Sequence, residues 1–244
     1  MVRARAGPQN TGGITPARLN ATIAVLFMIG SACFVVGSVP AYVDAVGTHA
    51  DAWTYVVGAV FFTSASFCQL LQSQTPAMVT SDAGRQHVRT PVRWWAWLPH
   101  DRGWLAAVTQ FPGTVCFNVS TIAALVAYAS AQAEDRHVWR PDLYGSTLFL
   151  VSSTYAVAAL GRSSFRAQLR TLPGGIAWLN MLGSILFGLS AYGSYVLPDG
   201  SAVDDALAVG GTLLGAVCFF VGAALMFPAW HHSVAVPSPE GEPT

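Results

Sequence analysis

The residues of this chain that could carry chemistry are few and poorly placed for it. Cys33, Cys68, Cys116 and Cys218 each fall inside an apolar run, with no Cys-x-x-Cys spacing and no histidine nearby to complete a metal site. They read as small buried apolar residues. His231-His232 is an adjacent pair without a third ligand and reads as solvated. Carboxylates occur only in polar links and tails, so a paired general acid and base would have to be assembled at a membrane face. No phosphate-cradling Gly-x-x-x-x-Gly-Lys, no His-Glu-x-x-His and no Gly-x-Ser-x-Gly elbow is present. The expectation is no catalytic residue, no cofactor and no metal, and therefore no enzyme.

The elements that hold these residues are set by composition. Of 244 residues, 53% are hydrophobic and 10% charged, whereas a soluble chain carries about 25% charge, so the chain reads as a membrane protein. All twelve basic residues are arginine and the formal net charge is zero, which leaves no basic field to recruit nucleic acid. Six apolar runs are each close to the about 20 residues needed to cross a hydrocarbon core: 19–43, 52–71, 104–131, 143–160, 176–197 and 206–227. A cleaved signal peptide ending near Val39-Pro40-Ala41 competes for the first run. It is set aside because the same Gly-Ser-x-x-Phe pattern returns in the chain interior at Gly183.

The fold class expected is all-α and polytopic, six transmembrane helices arranged as three parallel helical hairpins. Residues 1–18 form a mobile tail, 19–71 the first hairpin, 72–102 an Arg/Trp link, 103–160 the second hairpin, 161–175 a basic link, 176–228 the third hairpin and 229–244 a second tail. In the first link Trp94, Trp95 and Trp97 lie beside Arg93, a composition that suits a segment in the headgroup layer with rings inserted among lipids. In the basic link Arg162, Arg166 and Arg170 are four apart, one stripe if helical, before Pro173-Gly174-Gly175 breaks the run. The third apolar run is the most polar, with Gln110, Pro112 and Asn118. Asn118 needs a partner inside the bundle and reads as structural glue, and its Asn-x-Ser sequon lies within the span, out of reach of glycosylation.

Three of the runs share a pattern. Gly30-Ser31-Ala32-Cys33-Phe34, Gly113-Thr114-Val115-Cys116-Phe117 and Gly183-Ser184-Ile185-Leu186-Phe187 repeat Gly, a small hydroxyl, two free positions and Phe. The run after each holds a second Gly: Gly58, Gly145 and Gly215. Small residues let helix backbones approach where lipid provides no hydrophobic drive for association. These glycines, with Ser31, Thr114 and Ser184, are therefore expected to mark packing faces, with Gly30, Gly113 and Gly183 equal in rank and tolerant of Ala.

On these hairpins the chain resembles the YrhK-like family of bacterial membrane domains, most strongly over 180–228 and 117–153, including Phe117-Asn118-Val119-Ser120-Thr121 and Pro141-Asp142-Leu143-Tyr144-Gly145-Ser146. The resemblance implies an architecture of paired short helices and an inner-membrane address, and it implies no catalytic residues.

Ten arginines, at 3, 5, 18, 85, 89, 93, 102, 162, 166 and 170, fall on one side of the six spans, and only Arg136 and Arg140 on the other. The positive-inside rule then puts both termini in the cytoplasm. No span has an ionisable residue in its interior, which counts against a proton-coupled pump. The expected function is a non-catalytic scaffold, with the lipid bilayer and a membrane-protein partner or a second copy as its partners. A transporter or channel for a small uncharged solute is the alternative.

Overall fold

The computed structural model describes residues 13–75 and 91–229. The remaining tail and link positions, including Arg3, Arg5, Arg85, Arg89 and His231-His232, lie outside the described residues. Six long helices dominate: α1 Pro16–Gly37, α3 Thr48–Gln74, α4 Arg102–Ala123, α6 Arg140–Ala159, α8 Leu172–Gly193 and α9 Asp205–Ala224. Shorter pieces are α2 Pro40–Val46, α5 Ala131–Glu134 with a π-helical turn at Asp135–Trp139, and α7 Phe165–Leu169. No strand forms among the described residues; one isolated bridge joins Val196 to Ala202 in the α8–α9 connection.

The helix starts follow local chemistry. Thr15, Asp101, Thr171 and Asp204 cap α1, α4, α8 and α9 by accepting a backbone N–H with the side chain. Pro173 sits in the first turn of α8, where a missing N–H costs nothing, so the segment 173–175 opens a helix instead of breaking one. Gly174 is tight there: a Cβ would collide with the Gln168 carbonyl. The arginine stripe does not form, because α7 contains Arg166 alone and Arg162 and Arg170 lie outside it.

Two of the expected spans are shorter than the apolar runs. α1 stops at Gly37, where Ser38 Oγ donates to Phe34 O at 2.8 Å and Pro40 starts α2. α4 stops at Ala123 although the next residues carry no breaker. There Tyr128 OH, five residues on, donates to Ala123 O, and Ser120 Oγ donates to Val138 O across the connection to α6.

The long helices form a closed ring in chain order: α1 packs on α3, α3 on α4, α4 on α6, α6 on α8, α8 on α9, and α9 back on α1. The outer face is apolar, with Val57, Val60, Val115, Val119, Leu182, Ile185, Leu214 and Val217 all exposed. Such a surface would be a liability in water and is ordinary in lipid. Four helices are long and apolar enough to cross a membrane: Pro16–Gly37, Thr48–Gln74, Leu172–Gly193 and Asp205–Ala229. This is the character of a helical membrane protein. Of the six runs expected to cross, α4 and α6 fall short on composition, because Gln110, Pro112, Asn118 and a run of hydroxyls lower their hydropathy.

Candidate functional site along the bundle axis

The recurring glycines sit where paired helices cross. A Cβ on Gly30 would lie 2.9 Å from Gly58 O, one on Gly113 3.3 Å from Gly145 O, and one on Gly183 3.1 Å from Gly215 O. The reciprocal approaches, from Gly58, Gly145 and Gly215 to the carbonyls of Gly30, Gly113 and Gly183, are 3.1, 3.0 and 3.0 Å. The three sites are unequal. Gly30 is tightest, with Phe62 Cδ2 at 2.5 Å, while at Gly113 nothing is nearer than 3.0 Å. Ala is therefore not neutral at Gly30, contrary to the expectation from sequence.

The residue after each glycine, Ser31, Ala59, Thr114, Ser146, Ser184 or Ala216, is almost wholly buried. Several tie neighbouring helix pairs together. Ser184 Oγ, whose proton goes to Asn180 O of its own helix at 2.8 Å, meets Ser153 Oγ across the seam at 2.7 Å, and Ser146 Oγ donates to Phe187 O at 3.4 Å. Asn118 donates to Ala59 O at 3.1 Å, to Thr114 O at 3.0 Å and to Thr63 Oγ1, which bridges α4 to α3.

Four residues beyond each glycine comes a phenylalanine, and all six point to the axis. Phe62, Phe149 and Phe219 close a triangle with ring centroids 5.7 to 6.3 Å apart. Phe187 abuts Phe34 at 6.0 Å and Phe117 at 5.7 Å in a second layer, and Phe187 stands 5.2 Å from Phe219. All six are buried. In antiparallel neighbours the same offset from glycine runs toward opposite ends, so one spacing builds two layers.

Cavities flank this plug. One of about 470 Å³ opens at the end holding the N-termini of α1, α4 and α8. Asn20, Gln69, Gln110 and Asn180 line it with Phe27, Ile176 and Phe219. At the other end lies a cavity of about 340 Å³, bordered by Tyr55, Glu134, Asp142, Ser190 and Thr212. A smaller one of about 100 Å³ shares Tyr55 and Asp142 and reaches Phe34, Phe117 and Phe187. Asp142 stands half-buried in the first turn of α6, and its carboxylate has no hydrogen-bond or ionic partner among the described residues.

Trp94, Trp95 and Trp97 are 72%, 76% and 70% exposed and lie outside the ring. Their segment is pinned to the end of α3 through Ala96 N to Gln74 Oε1 at 2.6 Å and Arg93 N to Thr75 Oγ1 at 3.0 Å. Arg93 Nε donates to Trp95 O at 3.1 Å, so the Arg93 side chain belongs to this segment and not to the axis.

The structure thus brings Gln110 to the axis and leaves Asn118 at a helix seam. Reading the sequence missed the phenylalanine plug, Asn20, Gln69, Asn180 and Asp142. A signal for two of the cavity amides was present, since Gln110 and Asn180 both stand three residues before the glycine of their pattern. Among the described residues no group of three or more potential ligands could hold a metal ion. Comparison with protein families, with characterised proteins and with solved structures finds no match for the chain.

Proposed function

We propose that the chain is a six-span inner-membrane protein built from three tandem hairpin units, without catalysis of its own, that serves as a scaffold contacting lipid headgroups through Trp94, Trp95 and Trp97. The axis carries this reading, because the recurring residues are spent on closing it: glycine on the helix pair, the small residue on the seam, phenylalanine in the plug. The kinship proposed with YrhK-like domains fits paired short helices of this kind.

Inclusion of α4 and α6 among the spans is supported by how they hide their polarity. Thr109, Thr121, Thr147 and Thr154 return their hydroxyls to carbonyls of their own helix at 2.7 to 2.9 Å. Val115, Val119, Leu150 and Val151 are exposed on their outer faces. Orientation with both termini cytoplasmic rests on the arginine distribution. A C-terminal reporter active only outside the cytoplasm should stay silent; a signal from it overturns the orientation.

The cavities facing each other across the plug favour a second reading, passage of a small uncharged solute. Proteoliposomes with purified protein decide between the two. The scaffold predicts co-purified lipid and no solute flux above protein-free vesicles, and reproducible flux replaces it with the pathway.

A further inference from the structure

The cavity at the amino-terminal end of the ring does nothing for packing, and its walls hold unused hydrogen-bonding capacity. Asn20 is only 8% exposed; its Nδ2 donates to Met226 O at 3.4 Å, and its Oδ1 accepts from no described residue. Gln69 Oε1 is buried with no partner among the described residues. Gln110 Oε1 accepts from Ser152 Oγ at 3.4 Å, leaving its Nε2 free among the described residues. The Asn180 carboxamide makes no side-chain hydrogen bond to a described residue, while its backbone oxygen serves Ser184. These four amides come from four different helices and line one space. Asn20 and the Oε1 of Gln69 are buried, Gln110 and Asn180 half-buried, and leaving buried amide atoms unpaired is costly, so a purely structural bundle would place apolar residues here.

The character of the lining restricts the occupant. No Asp, Glu, Lys, Arg or His borders the cavity among the described residues, so an ion entering it would give up hydration with no opposite charge to replace it. A carboxamide presents a donor and an acceptor side by side, which is complementary to another amide or a urea. Phe27, Ile176 and Phe219 supply apolar wall beside the amides. A volume of about 470 Å³ is in the range of small-molecule sites. We propose that this cavity binds a small uncharged amide or ureido compound with an apolar substituent, held by Asn20, Gln69, Gln110 and Asn180 at the floor and rim of the axis. The inference goes beyond the scaffold reading and stands whether or not the plug opens.

The test uses the full-length protein in lipid nanodiscs, with N-phenylurea as the probe and benzoate and benzamidinium as charged controls of similar shape. N-phenylurea should raise the unfolding midpoint saturably, as a ligand of the folded state must, and the charged controls should not. Asn180→Leu and Gln69→Leu should each weaken the apparent affinity by about tenfold or more, and either variant alone suffices if the other does not fold. No saturable response to N-phenylurea, an equal response to the charged controls, or an affinity unchanged in the folded variants overturns the site. Flux of N-phenylurea into proteoliposomes, measured alongside, keeps the two readings apart: binding together with flux upholds this site and overturns the scaffold instead.

Discussion

The two ends of the ring axis are built on one frame and differ in chemistry. At the end of the α1, α4 and α8 N-termini the cavity is neutral, with carboxamides on apolar wall; at the opposite end Asp142 and Glu134 join Tyr55, Ser190 and Thr212 around a smaller space. Between them six phenylalanines fill the centre. The difference teaches that the glycine and phenylalanine positions carry the architecture, while residues farther along the same helices are free to differentiate the ends. A neutral end and an acidic end therefore coexist on one bundle, with the plug between them.

The largest effect is expected from removing that separation. Phe149 is 2% exposed and touches Phe62, Phe117 and Phe219. Phe149→Ala should cost about 3 kcal/mol or more, as deletion of a buried ring does, and should join the two cavities. Thermal unfolding in detergent measures the first, and water-soluble thiol labelling of a cysteine placed on either side measures the second. Unchanged unfolding would mean that the plug contributes little to the fold.

Substitution of the frame comes next. Gly30→Ala puts a methyl 2.5 Å from Phe62 Cδ2 and 2.9 Å from Gly58 O, and should cost about 1–3 kcal/mol. Gly183→Ala and Gly113→Ala, each with nearest contacts at 3.0 and 3.1 Å, should both cost less, Gly113→Ala slightly the less of the two because its backbone contact is Gly145 O at 3.3 Å against Gly215 O at 3.1 Å. The order of melting temperatures checks this, and three equal values would show that the hairpins adjust independently of the crossing distance.

A smaller effect sharpens the contrast between the ends. Asp142 borders only the cavities at the opposite end. Asp142→Asn, which removes the charge and keeps the size, should leave N-phenylurea binding unchanged, as measured by the unfolding midpoint in nanodiscs. Loss of that binding in the variant would mean that the two ends are coupled.

The smallest effect on stability is expected outside the ring. Replacing Trp94, Trp95 and Trp97 together by Ala should leave the melting temperature nearly unchanged, because all three rings are exposed, while removing from the lipid-quenched fluorescence the share that these three of the eight tryptophans contribute. If the wild-type tryptophans are no better quenched than a free indole in water, the segment does not lie in the headgroup layer.

The amino-acid sequence by itself determines the class of the protein and its close helix crossings. Length, apolar runs and the scarcity of charge specify a helical membrane protein, because backbone polar groups in lipid must be satisfied within helices. The recurrence of Gly30, Gly113 and Gly183, each followed in the next run by Gly58, Gly145 and Gly215, points to helix pairs with close crossings. Helix ends are less legible. No breaker in the apolar run predicts that α4 stops at Ala123, where a local Tyr128 hydroxyl and the more distant Val138 carbonyl take up hydrogen bonds at its end.

What only the tertiary structure decided is how the ring closes and what lies inside it. The spacing from Gly to Phe is visible in all six runs, yet it acquires meaning only when α9 returns to α1 and six rings meet at one axis. Asn20, Gln69 and Asn180 lie far apart in the chain and share no motif; closure alone gathers them around one cavity. The physical reason is that lipid rewards any apolar helix equally on all sides, so the sequence pattern fixes that helices exist and where they pack closely, whereas which faces turn inward depends on the packing of neighbours.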